Sequence, residues 1–307
     1  MVTIGIPRAA LYYYYSSFWV TFFQELGLKV VVSEPTNKEI LEDSIKMSVD
    51  EVCLPIKLVY GHTLTLKDTD YIFIPRIMSM EKGGRNCPKF LGIPDMIRHS
   101  IHGIRMLDVT INCFFNQRNL YRSMFGFGLR FCKNPFRVRG AIQKADEAHK
   151  RDKQKRESLY SVLSQTKGLR IALVGHPYLT MDTYININLI EVLREQGIVV
   201  FTVDMLPENI LNYSLDGIPW AIYWSYEREV YNGFHYFMDN NLVDGVINIV
   251  AFACGPDSLV SELMMREAKE RGFPFMQLVV DEHTAEAGFI TRVEAFVDLV
   301  SKRKAVL

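Results

Sequence analysis

What this sequence lacks narrows its chemistry first. Its five cysteines include no Cys-x-x-Cys pair, which argues against the usual structural zinc site. Their odd number and wide scatter argue against a disulfide framework. No Gly-x-x-x-x-Gly-Lys-Ser/Thr occurs, so ATP has no P-loop to bind. No uncharged apolar run reaches membrane-spanning length. The N-terminus, Met-Val-Thr-Ile-Gly-Ile-Pro-Arg, has neither the basic region nor the apolar stretch of a signal peptide. A soluble, cytoplasmic protein without a membrane partner is therefore expected, its cysteines reduced or bound to metal. The formal net charge is zero, so overall charge points neither to nucleic acid nor to an anionic surface. What is present is core-forming material. Of 307 residues, 49% are hydrophobic and 23% charged, which excludes wholesale disorder.

The stretch Asp244–Ser258 organises the rest. Val246 to Phe252 is a nearly unbroken apolar run, suited to a strand buried on both faces. Cys254, Gly255 and Pro256 follow, and then Leu259, Leu263 and Met264 recur at helical spacing up to Gly272. Pro256 suits the first turn of a helix. Cys254 thus falls where a strand ends and a helix begins, a place where free N–H groups and the helix dipole favour a thiolate.

The remaining pattern alternates strand and helix. Strands are expected at Thr3–Ile6, Lys29–Ser33, Tyr71–Ile74 and Leu107–Ile111, and again at Arg170–Val174 and Val199–Val203. Helices are expected at Ala9–Leu26, after a Thr36–Glu39 capping box, after the Asp50–Lys57 loop, and at Thr183–Glu195. Pro75–Pro94 reads as loop. The second half repeats the first: Thr3–Arg8 matches Ile171–His176, Glu25–Val32 matches Glu195–Val200, and Asp70–Ile74 matches Asp244–Ile249. The fold class is α/β, two Rossmann-like domains with mostly parallel sheets. The boundaries are 1–142 and 169–307, joined by a charged helical linker over 143–168, with ligand-binding sheet edges facing a cleft.

Three cysteines lie in loops beside a turn residue: Cys53 with Pro55, Cys87 with Pro88, and Cys254 with Gly255 and Pro256. Cys113 ends an apolar strand and Cys132 falls in an expected helix; both read as small buried hydrophobes. Three loop thiolates from distant positions can converge on a metal centre, and a [4Fe–4S] cluster accepts scattered ligands. A further reading, a periplasmic-type ligand-binding fold, is opposed by the thiols and the absent signal peptide.

Ile6-Pro7-Arg8, Pro35-Thr36-Asn37, Asp50–Lys57, Ile74-Pro75-Arg76, Cys87-Pro88-Lys89, Cys254–Ser258 and the ending Asp281–Phe296 together resemble DUF2229. This is a domain known from anaerobes, attached to acyl-CoA dehydratase activases and also found alone. It is similar to 2-hydroxyacyl-CoA dehydratase subunits and double-cubane cluster proteins. The resemblance implies a [4Fe–4S] cluster on Cys53, Cys87 and Cys254 between the two domains. It also implies an ATP-dependent activase, with its own iron–sulfur cluster, as electron donor. Low-potential reduction or reductive dehydration would follow; a non-catalytic relay or scaffold subunit is the alternative. The chain has fewer cysteines than a double cubane would need.

Around these residues, Arg8, Lys57, Lys82 and Lys89 can steady an anionic centre or serve as ordinary surface cations. Glu51 is the candidate proton donor, or a helix cap. His176, Glu282 and His283 sit at expected sheet edges. The Tyr12–Tyr15 run covers every face of its helix, pointing to core packing plus a homodimer contact. From Val109 to Ala145 there is no Asp or Glu, while Arg118, Arg122, Arg130, Lys133, Arg137, Arg139 and Lys144 interleave with aromatics. An acidic partner such as the activase, CoA phosphates, nucleic acid, or simply a basic-outside, aromatic-inside helical pair each fits this pattern.

Overall fold

The structure is a computed structural model describing residues 1–211 and 222–306. It divides into two compact units. Unit 1 comprises Met1–Gln154 with Tyr223–Ser225, and unit 2 comprises Lys155–Ile222 with Tyr226–Leu307.

Unit 1 runs β1 (Thr3–Ile6), α1 (Tyr12–Glu25), β2 (Lys29–Val32), α2 (Lys38–Met47), α3 (Leu54–Leu64), β3 (Tyr71–Phe73), β4 (Arg76–Ser79), α4 (Pro88–Ser100), β5 (Met106–Leu107), β6 (Thr110–Asn112), α5 (Asn119–Gly128) and the long α6 (Pro135–Leu163). Its main sheet is all parallel in the order β2-β1-β3-β5, and β4 pairs with β6 in a small parallel sheet of their own. Phe22, Phe23, Phe73 and Phe127 pack ring on ring at its centre, with Phe23 and Phe73 centroids 5.0 Å apart.

Unit 2 runs β7 (Arg170–Val174), α7 (Pro177–Thr180), α8 (Leu189–Glu195), β8 (Val199–Thr202), a 3-10 turn, α9 (Glu208–Leu211), α10 (Ser225–Asp239), β9 (Gly245–Ala251), α11 (Gly255–Glu270), β10 (Phe275–Val280) and α12 (Glu286–Val306). Its strands, all parallel, are ordered β8-β7-β9-β10. Every residue of β9 is buried, as an inner strand covered on both faces requires.

The two sheets have the same winding. In each, the first strand lies between the second and the third, which puts a topological switch point between β1 and β3 and between β7 and β9. Even the anchoring is repeated. Asp70 accepts from the Thr3 N–H and Asp244 from the Arg170 N–H, each at 2.8 Å. This shows a slip in the sequence match. Thr3 corresponds to Arg170, not Ile171, because β7 is one residue longer than β1. Arg8 and His176 still agree, each two residues past its strand.

Other expectations need correction. Pro75–Pro94 is not loop: β4 begins at Arg76 and α4 at Pro88. Proline there marks element starts, since position N1 needs no N–H donor. The single strand expected at Leu107–Ile111 is split into β5 and β6. The Thr183–Glu195 helix begins only at Leu189, because Ile187 and Asn188 take left-handed φ of 55° and 53°. Asn37, not Thr36, caps α2, its side chain accepting from the Ile40 N–H. Cys132 lies in the connection between α5 and α6, not in a helix. The charged run Lys144–Glu157, by contrast, is helical as expected, within α6.

Helices α2 and α3 cross closely. Ser44 Oγ donates to Ile40 O and accepts from the Gly61 N–H. A Cβ at Gly61 would stand 2.1 Å from Ile40 O. Helix propensity favours alanine over glycine by about 1 kcal/mol, but overpacking costs about 1–3 kcal/mol or more and should win. Gly61→Ala is therefore expected to lower the denaturation midpoint in urea. A raised midpoint would refute the close crossing.

Candidate functional site

The three cysteines singled out by sequence share one local geometry. Cys53 is the N-cap of α3, Cys87 of α4 and Cys254 of α11, each with proline at the first or second helical position. All three helices exceed two turns, so each cysteine stands at the positive end of a helix dipole, although none of the three side chains makes a capping hydrogen bond. The other two differ. Cys113 is fully buried, and burial pushes its thiol up. Cys132 is half-buried, its sulfur 3.8 Å from Asn134 O.

Each cysteine-bearing helix is clamped to its own unit by a polar device. On α3, His62 is fully buried, its Nδ1 2.9 Å from Ser33 Oγ and its Nε2 3.0 Å from Thr36 Oγ1. Burial, with the charge of Arg8, holds that imidazole neutral, down to about 3. On α4, Arg76 of the Ile-Pro-Arg motif grips Asp95 bidentately, at 2.6 and 2.7 Å, and donates to Leu91 O. On α11, Asn248 of β9 donates to Ser261 Oγ at 2.9 Å.

A second clamp on α11 is a buried charge cluster. His176 Nε2 lies 3.3 Å from Asp257 and 3.9 Å from Glu227, all three nearly inaccessible to solvent. Burial alone would lower the imidazole, but the two carboxylates outweigh it and push His176 up to about 9. Burial in turn raises the Glu227 carboxyl, only partly opposed by His176. The cluster sits at unit 2's switch point, where Gly175 packs on β9: a Cβ there would stand 2.6 Å from Ile249 O. Sequence had placed His176 at a sheet edge but offered no sign of its partners, which come from α10 and α11.

The edge loops are strained. Ala10 after β1 and Ala253 immediately before Cys254 have φ of 50° and 62°, a left-handed conformation costing alanine roughly 1–2 kcal/mol. In unit 1 the switch point opens into an apolar crevice of about 50 Å³ lined by Ile6, Pro7, Leu11, Ile74 and Phe90. That is room for a few waters, not a nucleotide.

The remaining candidates are placed as follows. Glu51 is exposed in the turn before Cys53 and does not cap α3, since Cys53 occupies that position. Lys57 is buried within the first turns of α3. Arg8 is half-buried over the Tyr12 ring, Lys89 is half-buried, and Lys82 is exposed. His283 is exposed and Glu282 half-buried in the turn after β10. Tyr12 to Tyr15 are all half-buried, with Tyr15 against Trp19 and His149. Among the described residues no three His, Cys, Asp or Glu side chains form a group that could hold a metal ion, and no helix is long and apolar enough to cross a membrane.

The family model described as the CoA enzyme activase uncharacterised domain, DUF2229, matches residues 3–206. The chain belongs to the DUF2229 family. The match takes in Cys53 and Cys87 and ends before Cys254. No curated protein matches the chain. Among solved structures, ZnuA is 10% identical with a TM-score of 0.32, covering 98% of each chain. The tagatose-6-phosphate ketose/aldose isomerase from Escherichia coli is also 10% identical, with a TM-score of 0.23, over 97% of this chain and 78% of that one. Likenesses this low carry no argument about fold or activity.

In this DUF2229 chain the acid-free segment is only partly the basic-outside, aromatic-inside arrangement. Phe127 and Phe131 do point inward, against Phe22, Phe23 and Phe73. Phe115 and Phe136, however, are 78% and 83% exposed. Arg137 and Lys144 are tied to Glu25, and Arg130 lies over the Phe127 ring. Arg118, the N-cap residue of α5, and Arg122, one turn on, are both exposed.

Proposed function

We propose that this chain is the iron–sulfur partner of an ATP-dependent CoA-enzyme activase, holding a [4Fe–4S] cluster on Cys53, Cys87 and Cys254. What supports the reading is that these three cysteines, and neither of the others, cap helix N-termini with proline in the first turn. Membership of a domain family named for CoA enzyme activases supports it independently. When bound, such a cluster supplies a low-potential electron couple and, with three protein thiolates, one iron open to an external ligand. The chain's own part is to present three cysteines at helix N-termini and to keep their helices immobile through the His62, Arg76 and Asn248 clamps. Since no ready-made group of ligands exists among the described residues, cluster assembly itself completes the site on this reading. Glu51, exposed just before Cys53, is the proton donor assigned to a reductive step.

Arg118 and Arg122 are the surface assigned to an acidic activase. Such steering speeds association and weakens with salt. Mixing the oxidised protein with activase, reductant and ATP in a stopped-flow should bleach the cluster's visible absorbance only when ATP is present. Reversal of Arg118 and Arg122 to Glu should slow bleaching at least several-fold at low salt and much less at high salt. Arg130 is left intact because its reversal would also disturb the Phe127 core. Bleaching equally fast without ATP rules out the activase reading. Reversals without effect at low salt would leave the segment a solvated face.

A further inference from the structure

Helix α10 carries two different stripes. Val230, Phe234, Phe237 and Met238 are buried in the apolar core of unit 2. Asn232, His235, Tyr236 and Asp239 follow the i, i+3, i+4, i+7 spacing of one helix face, and with Asn240 just beyond they line a cavity of about 290 Å³. The far wall is Asn209 and Ile210 of α9, tied to α10 by the Asn232 amide, which donates to Leu211 O at 2.6 Å. Asn232 and His235 are buried, whereas Asn209, Asp239 and Asn240 are exposed. The cavity therefore has a polar floor and a rim open to solvent. Polar side chains this deep are uncommon in proteins, which place them where something is to be hydrogen-bonded.

The floor is held in place from behind. Tyr231 donates to Glu267 Oε1 at 2.6 Å, and the other oxygen of that carboxylate lies 2.7 Å from His235 Nε2. His235 Nδ1 lies 3.4 Å from Asp239, whose carboxylate also pairs with Arg271. Among the described residues the lining contains no Lys or Arg, which argues against a site built for phosphate or carboxylate. Its one carboxylate, Asp239, is already matched by Arg271, which removes the pull on an amine. What remains are the Asn209 and Asn240 amides and the Asp239–His235 pair, which together donate and accept. Beside them stand Ile210 and the ring of Tyr236, whose hydroxyl is engaged by Tyr160. Neighbouring hydroxyls on a ring with C–H faces match that combination. We propose that this cavity binds a neutral polyhydroxylated molecule of monosaccharide size. Its volume lies at the small end of ligand sites, which run from about 300 to 1,000 Å³. The site lies wholly within unit 2, shares no residue with the three cysteine loops and does not depend on the cluster reading.

The test is saturation-transfer NMR on the full chain. D-glucose, D-galactose, D-mannose and myo-inositol are the probes, with spermidine and inorganic phosphate as charged controls. Expected is binding of at least one of these polyols with a Kd of about 1 mM or tighter, and of neither control. Asn240→Ala, which removes one hydrogen-bonding amide at the rim, should weaken that binding about fivefold. Asn209→Trp, which puts an indole at the mouth, should abolish it. No binding by any of the polyols overturns the proposal. So does polyol binding that survives Asn209→Trp unchanged, because it then occurs elsewhere, and so does binding of a charged control alone. Should Asn209→Trp fail to fold, Asn240→Ala decides: an unchanged Kd overturns the proposal, and a weakened one supports it.

Discussion

Serine at Cys53, Cys87 or Cys254 is expected to abolish or sharply reduce iron binding, while serine at Cys113 or Cys132 leaves it near the wild-type level. Anaerobically purified wild type should carry about four irons and four sulfides per chain, as one cubane requires. The contrast follows from placement. The first three cysteines stand at helix N-cap positions, where the positive end of the helix dipole suits an anionic metal ligand. Cys113 is fully buried with its thiol pushed up, and Cys132 lies in an inter-helix connection. Serine is a close steric match whose oxygen is a poor ligand for iron in such clusters, so a loss of metal reports ligation and not collapse. Circular dichroism on the same samples separates the two. Iron retained in all three first-group variants would end the assignment, and stoichiometric zinc in place of iron would count as heavily against it.

His176→Phe is expected to cost about 3–5 kcal/mol at neutral pH, the penalty for removing one member of a buried ion pair and leaving the other charge uncompensated. Asp257 and Glu227 are the groups left behind, both nearly inaccessible. The sign of the pH dependence is fixed by the direction of the shift. His176 is pushed up to about 9 in the folded protein, against about 6.5 unfolded. The folded state therefore binds the proton more tightly. Its contribution is complete below about pH 6.5 and is lost as pH rises towards about 9. Glu227, also raised, acts in the same direction: the folded protein resists its ionisation. Guanidinium denaturation at several pH values between 6 and 9.5 should show wild-type stability falling by roughly 3 kcal/mol. In His176→Phe that decline should be much shallower. An equal slope in both proteins would mean that His176 is not the titrating cation. Adding Asp257→Asn to His176→Phe should recover part of the loss, because a neutral amide is cheaper to bury than an unpaired carboxylate.

Much of the fold was legible in the residues. The apolar run of β9, fully buried, the proline-marked starts of α3 and α11, and the repeated strand-helix-glycine-strand pattern are local signals. A strand or helix start is largely decided by neighbours along the chain. The same locality made Cys53, Cys87 and Cys254 stand out from Cys113 and Cys132, since each carries its turn residue beside it. Where local signals conflicted, reading failed: Pro75 and the Gly83-Gly84 pair hid β4, although Ile77 and Ser79 alternate with exposed Met78. Left-handed backbone at Ile187 and Asn188 likewise shortened a helix whose periodicity looked continuous.

Sequence by itself determined that this is an α/β protein with an internal repeat, with three cysteines in loops beside turn residues. Tertiary structure alone decided that both sheets share one strand order, with Thr3 equivalent to Arg170. It decided that His176 is a buried cation between Asp257 and Glu227, that Arg76 is a clamp on α4, and that one polar stripe of α10 lines a cavity. Periodicity and capping are properties of adjacent residues. Hydrogen-bond satisfaction, desolvation and ion pairing depend on groups brought together from distant parts of the chain.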